Sequence, residues 1–236
     1  MKYMGSKNRI AKHILPIMLN YRKPGMPWVE PFVGGGNLID KVTGPRIGYD
    51  GNKHTIEALV AIRDHCHELP KTDRDFTERD YKGLRSKSDG WLAGYAGFSF
   101  SYGGKWLGGW SRGTSAAGKP RDYVAESFRN ALVQSPKLKG VQLMCAPYDK
   151  AHIPQSSLVY CDPPYKGTTG YSVTQFDHEA FFLWCGCLRD AGNIVFVSEY
   201  EAPWDFECVW EKEITSSLTK DTGSKRGVEK LFRCLP

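Results

Sequence analysis

The sequence predicts one α/β domain built on a parallel sheet and interrupted by a central insertion. Three observations lead there. Short apolar runs alternate with helical periodicity over residues 1–69, that rhythm stops between about 70 and 136, and it resumes over 137–236. At 236 residues the chain is long enough to bury one substantial core.

Taken in order, "RIAKHILPIMLN" (9–20) sets Ile10, Ile14, Ile17 and Met18 at helical spacing, with Pro16 expected to shorten or kink the helix. "MPWVEPF" reads as a short buried strand that ends in the turn Gly34-Gly35-Gly36. "NLIDKV" then starts a helix, with Asn37 near its cap. "PRIGYD" is a second strand, ending at Asp50. "NKHTIEALVAIRDHCHEL" is a helix carrying Ile56, Leu59, Val60 and Ile62. From about 70 no strand is clear, and glycine and aromatics dominate "GWLAGYAGFSFSYGGKWLGGWSRGTSAAGKP". The helix "RDYVAESFRNALVQS" follows. Then come the strands "GVQLMCA" and "SSLVYC", the helix "DHEAFFLWCGCLRDAG" and the strand "NIVFVSEY". "FECVWEKEI" and "VEKLFRCL" close the chain as two strands joined by the polar segment Ser216–Gly227, whose "GSKRG" is a basic loop within reach of a phosphate.

Composition narrows the function classes. A net charge of +6 is compatible with a polyanionic partner without requiring one. The charge is unevenly placed: Lys71 to Lys137 holds twelve Lys/Arg against seven Asp/Glu, and so carries +5 of that excess. Seven scattered cysteines with no CxxC pair indicate neither a zinc ribbon nor a disulfide framework. "HCHE" (65–68) resembles a metal cluster only on paper, because residues two apart on a helix diverge. No apolar run is long enough for a signal peptide or a membrane span. The expectation is a reduced, cytoplasmic protein without a metal, and nothing in the sequence indicates an oligomer.

Two stretches carry chemistry. In "EPFVGGGNL" (30–38) the glycines lie between a strand and a helix, where a doubly wound fold brings backbone against a nucleotide-like ligand. Asp50, sixteen positions beyond Gly34 at the end of the next strand, suits both hydroxyls of a ribose. The turn lacks the full GxGxxG pattern and has no Walker lysine, so it points to a nucleoside-containing cofactor rather than a diphosphate. The plain alternative is a tight turn followed by a surface aspartate.

The second stretch is "YCDPPY" (160–165), where an apolar run stops at Asp162. The carboxyl end of such a strand faces the ligand crevice. Pro163 and Pro164 fix φ and lack N–H groups, which leaves carbonyls as acceptors, and Tyr165 offers a flat face. An acceptor pair beside a stacking platform fits an amino group attached to an aromatic ring. Two acceptors polarise its N–H bonds and favour a pyramidal nitrogen whose lone pair can attack an electrophilic carbon.

These motifs resemble the amino-group DNA methyltransferases, specifically the Dam-like, adenine-N6 branch. The resemblance rests on "YMGSK" (3–7), "PFVGGG" and "DPPY", in that order, with the insertion between the last two. It implies a Rossmann-like sheet ending in an antiparallel strand, with a catalytic domain made of 1–69 and 137–236 and a mainly helical or irregular target-recognition insertion at 70–136. It implies S-adenosyl-L-methionine as cofactor, with Phe32, Gly34 and Gly36 around its methionine part, Asp50 on the ribose and Asp149 on the adenine. Tyr3 and Lys7 lie near cofactor or flipped base, and Asp162, Pro163, Pro164 and Tyr165 hold the target adenine, Asp162 also bordering the cofactor.

Double-stranded DNA is the expected partner. A duplex hides the adenine amino group in its stack, so the base must be rotated out. Arg74, Arg79, Lys105, Arg112, Lys119 and Arg121 are candidates for phosphates or base edges, interleaved with Tyr95, Phe98, Phe100, Tyr102, Trp106 and Trp110. The glycine-aromatic insertion is unlike that of the GATC-specific enzymes and resembles versions common in phage and prophage proteins. The rival readings are a methyltransferase acting on RNA or on a protein amide, and a DNA-binding relative that has lost catalysis.

Overall fold

The computed structural model describes residues 1–87, 89–166, 176–215 and 226–236. Most of the segment between the last two strands, with its basic loop, therefore lies outside the described residues, as does the stretch after Lys166. Seven strands form one sheet: β1 (Trp28–Glu30), β2 (Arg46–Asp50), β3 (Val141–Cys145), β4 (Leu158–Cys161), β5 (Ile194–Glu199), β6 (Phe206–Thr215) and β7 (Arg226–Cys234). Their spatial order is β3-β2-β1-β4-β5-β7-β6. The first five are parallel, and β7 runs antiparallel between β5 and β6. This is a Rossmann-like sheet whose order reverses between β1 and β4.

The three residues of β1 are buried because strands flank it on both sides and helical layers cover both faces. α1 (Ala11–Leu19) passes through Pro16 without ending there. Lys12 and Pro16 both face outward, so the hydrogen bond that Pro16 cannot donate falls on the exposed side. α2 (Lys53–Asp64) is capped by Asn52, whose side chain accepts from the His54 amide at 3.0 Å. Asp122 caps α5 (Tyr123–Leu138) in the same way, and Asp177 caps α6 (His178–Asp190).

Two expectations differ from the structure. "NLIDKV" forms only a 3-10 turn over Ile39–Lys41, because Gly44 and Pro45 follow at once and leave no room for a helix. Asn37 does not cap it; its amide donates to the Met1 carbonyl and to Ser6 Oγ. Within the insertion, expected to be mainly helical or irregular, the glycine-aromatic stretch forms a helix, α4 (Trp91–Ser99), after the short capped α3 (Glu78–Gly83).

Glycine weakens an isolated helix, but here it permits close packing. A Cβ on Gly94 would lie 2.9 Å from both the His54 carbonyl oxygen and the Ala58 amide nitrogen of α2. Tyr95, Phe98 and Phe100 thereby join the core cluster that contains Trp28, Leu59 and Tyr160, so residues from 70–136 share the core of the sheet. Gly94→Ala should cost about 1–3 kcal/mol, since the clash is with backbone, and lower Tm by roughly 3–10 °C. A Tm at or above that of the unsubstituted protein would mean that the two helices part freely.

No helix among the described residues is long and apolar enough to cross a membrane.

Candidate active site

The carboxyl ends of β1 and β4, at the point where the strand order reverses, open into a cavity of about 630 Å³. It is continuous from Asp50 and the glycine turn to the Asp162–Tyr165 segment. Tyr3, Lys7, Phe32, Gly34, Asp50, Asp162, Pro163, Pro164 and Tyr165 all line it, although they come from four separate parts of the chain.

At one end the backbone is shaped for close approach. Gly34 has φ +49°, and a Cβ there would meet the Tyr3 ring at 3.0 Å. Its amide donates to Asp50 at 3.1 Å, and the Asn52 amide donates to the same carboxylate at 2.9 Å. Burial nevertheless pushes the Asp50 carboxyl up to about 6, against those two amides. Phe32 stacks on Tyr148 at 5.4 Å and meets Phe176 edge-on at 6.0 Å, which builds an aromatic wall beside Asp50.

Two expected residues stand apart. Gly36 lies behind the turn, where a Cβ would press on Leu59 at 3.0 Å. Asp149 does not line the cavity: its carboxylate is half exposed, 3.7 Å from Lys150, while Pro147 and Tyr148 supply that wall. A residue in a surface 3-10 turn shows its side chain to solvent when its neighbours pack inward.

At the other end charge dominates. Lys7 Nζ lies 3.0 Å from Asp162 Oδ1, 3.7 Å from Glu229 Oε2 and 4.5 Å from the Tyr165 ring centroid. The Tyr165 hydroxyl donates to Glu229 Oε2 at 2.8 Å, and Tyr200 meets the ring edge-on at 4.7 Å. Tyr165 is therefore buried beneath an ammonium rather than presenting an open face.

Burial raises the Asp162 carboxyl to about 6, with Lys7 pulling it down and Glu229 pushing it up. Glu30, at the end of β1, accepts from Trp28 Nε1 at 2.8 Å and is pushed by burial to about 8. Glu199, at the end of β5, is raised by burial to about 7 against the amides of Tyr200 and Lys166. Carboxyl groups thus end four parallel strands, two of them, Asp162 and Glu199, interacting with the Lys7 ammonium.

The sequence reading missed Glu30, Tyr148, Phe176, Tyr200, Glu199 and Glu229. Only Glu30 carried a local signal, a charge ending an apolar run as Asp162 does.

The insertion reaches the site through the N-terminal segment. The Met4 amide donates to the Gly104 carbonyl at 3.1 Å, Lys2 Nζ donates to the Ser101 carbonyl at 2.7 Å, and the Tyr3 ring packs on Phe98 at 5.3 Å. Arg74, Arg79, Lys105 and Lys119 are exposed and form no ion pair among the described residues. Arg112 donates to Glu78 at 2.7 Å, and Arg121 pairs with Glu126. His65 faces Glu68 at 2.9 Å and stacks on Trp91, and no group of metal-ligating side chains is found among the described residues.

The fold and the cavity define an α/β protein with a crevice at its switch point. No family model and no curated protein matches the chain. Among solved structures it is similar to SMU.472, provisionally described as a methyltransferase and solved in complex with SAH. The identity is 10% and the TM-score 0.37, over 97% of this chain and 52% of that one. The chain thus spans about half the length of that protein, and so loose a superposition decides neither fold nor chemistry, which rest on the geometry above.

Proposed function

We propose that the protein transfers a methyl group from S-adenosyl-L-methionine to the N6 amino group of adenine in DNA, after rotating the base out of the duplex. The observation that carries this reading is the single cavity joining the Gly34–Asp50 end to the Asp162–Tyr165 end. Two ligands bound there would meet in the middle, as a transfer reaction requires. The cofactor fits what the chain provides: a turn without side chains, a fixed carboxylate for a ribose, an aromatic wall for a purine, and acidic groups for a cation. When bound, it supplies an electrophilic methyl group.

At the other end the Asp162 carboxylate accepts from the target amino group, which orients its lone pair. Tyr165 and Tyr200 form the holder for the ring. Exposed Arg74, Arg79, Lys105 and Lys119 supply sequence-independent attraction to phosphates. Arg112 and Arg121 join them once released from their weak, exposed ion pairs.

Labelled S-adenosylmethionine offered with duplex DNA, RNA or protein tests the reading, followed by single-base mapping of N6-methyladenine. Label in DNA at adenine N6 is expected. Label confined to RNA or protein, or none anywhere, would sink it.

A further inference from the structure

We propose that Glu229 is a positioning residue for arrival of the target base: it holds the Tyr165 ring by its hydroxyl and takes over Lys7 when the base displaces that ammonium from Asp162. The inference rests on the function proposed above and adds a residue that no motif contains.

Three contacts define the problem. Lys7 sits 3.0 Å from the carboxylate that must receive the target amino group, and 4.5 Å over the ring on which the base must lie. Tyr200 packs T-shaped against that ring at 4.7 Å, and Lys7 covers a face on which a planar ligand would stack. Base and ammonium cannot share this place.

Displacing Lys7 from Asp162 without another carboxylate at hand would strand a charge, because its side chain is only 10% exposed. Glu229 removes that obstacle. Its Oε2 lies 3.7 Å from Lys7 Nζ, so a small rotation of the lysine exchanges one carboxylate for the other without carrying the cation out to water. The same oxygen accepts from the Tyr165 hydroxyl at 2.8 Å, which fixes the ring while the exchange takes place.

Sheet register puts Glu229 there. Its neighbour Lys230 pairs with Glu199 of β5, and Glu229 itself pairs with Lys212 on β6, so it lies just past the end of β5 beside the cavity.

The test compares Glu229→Gln with the unsubstituted protein. Amide for carboxylate keeps size and an acceptor for Tyr165 but removes the charge that receives Lys7. The expected result is S-adenosylhomocysteine affinity within about three-fold, a KM for duplex DNA raised about ten-fold or more, a smaller change in kcat, and weaker fluorescence from 2-aminopurine placed at the mapped target. Unchanged KM and fluorescence in a variant that folds would overturn the inference. So would equal losses in cofactor affinity and melting temperature, which mark a structural role.

If Glu229→Gln does not fold, Tyr165→Phe carries the test, since it removes the hydroxyl donated to Glu229 and keeps the ring. It should raise the KM for DNA with cofactor affinity intact, and ordinary behaviour would overturn the inference. An unsubstituted protein that methylates no DNA fails the underlying function, whereas one that methylates DNA while both variants behave normally fails only the role of Glu229.

Discussion

Asp162→Ala is expected to abolish methyl transfer to adenine while S-adenosylhomocysteine still binds within a few-fold. The carboxylate is the charged acceptor at the target end, and Glu229 does not replace it, because it is already engaged by Tyr165 and faces Lys7. Asp50 and the glycine turn, which meet the cofactor in the proposed function, are untouched. Asp162→Asn keeps the shape and one acceptor oxygen but loses the charge, and should cost about 100-fold or more in kcat. Folding should survive, since removing a buried carboxylate leaves Lys7 with Glu229 at 3.7 Å. The pH profile of the unsubstituted protein follows from the same group. With its carboxyl raised to about 6, the acceptor form is complete above that value, and kcat/KM should fall about ten-fold per unit as pH drops below it. Near-normal turnover in Asp162→Ala would refute the proposed role of the carboxylate.

The parts of this site that sequence reveals are those in which chemistry is written locally. The Gly34–Gly36 turn and Asp50 are legible because a strand, a turn and a second strand follow one another, and Asp162 because a charge followed by two prolines interrupts an apolar run. Glu229 and Glu199 are different. Each looks like an ordinary strand residue, and only the pairing of β7 with β5 brings them to Tyr165 and Lys166. The open stacking face expected of Tyr165 fails for the same reason: the ammonium that covers it comes from residue 7. The fold follows a similar division. Strand positions are set by apolar runs and appear as expected, whereas α4 is invisible to propensity because its Gly94 serves contact with α2 and its Gly97 with the Trp106 ring. The helix expected after the glycine turn is lost to Gly44 and Pro45, too close behind to allow more than a 3-10 turn.

Glu30→Gln should flatten the pH dependence of stability between about pH 5 and pH 8. Glu30 is 2% exposed, and burial raises its carboxyl from the ordinary 4.5 to about 8. Between those values the folded protein keeps a proton that the unfolded chain has released, so stability falls as pH rises. The full contribution is present below about 4.5 and is lost as pH passes about 8. At 1.36 kcal/mol per unit the ceiling is about 5 kcal/mol, and relaxation around the charge makes the real loss smaller. Glutamine is neutral throughout and still accepts from the Trp28 indole, so it removes the titration without removing the bond. Asp50, Asp162 and Glu199 also titrate in this range, but they do so in both proteins and cancel in the difference. Urea denaturation at pH 5, 7 and 8.5 should therefore give a variant close to the unsubstituted protein at the lowest value and progressively more stable above it. Parallel curves would mean that Glu30 is ionised throughout. A neutral Glu30 leaves Asp162, Glu199 and Glu229 as the acidic groups near Lys7, and it makes the end of β1 a place where a ligand can accept a hydrogen bond as well as donate one.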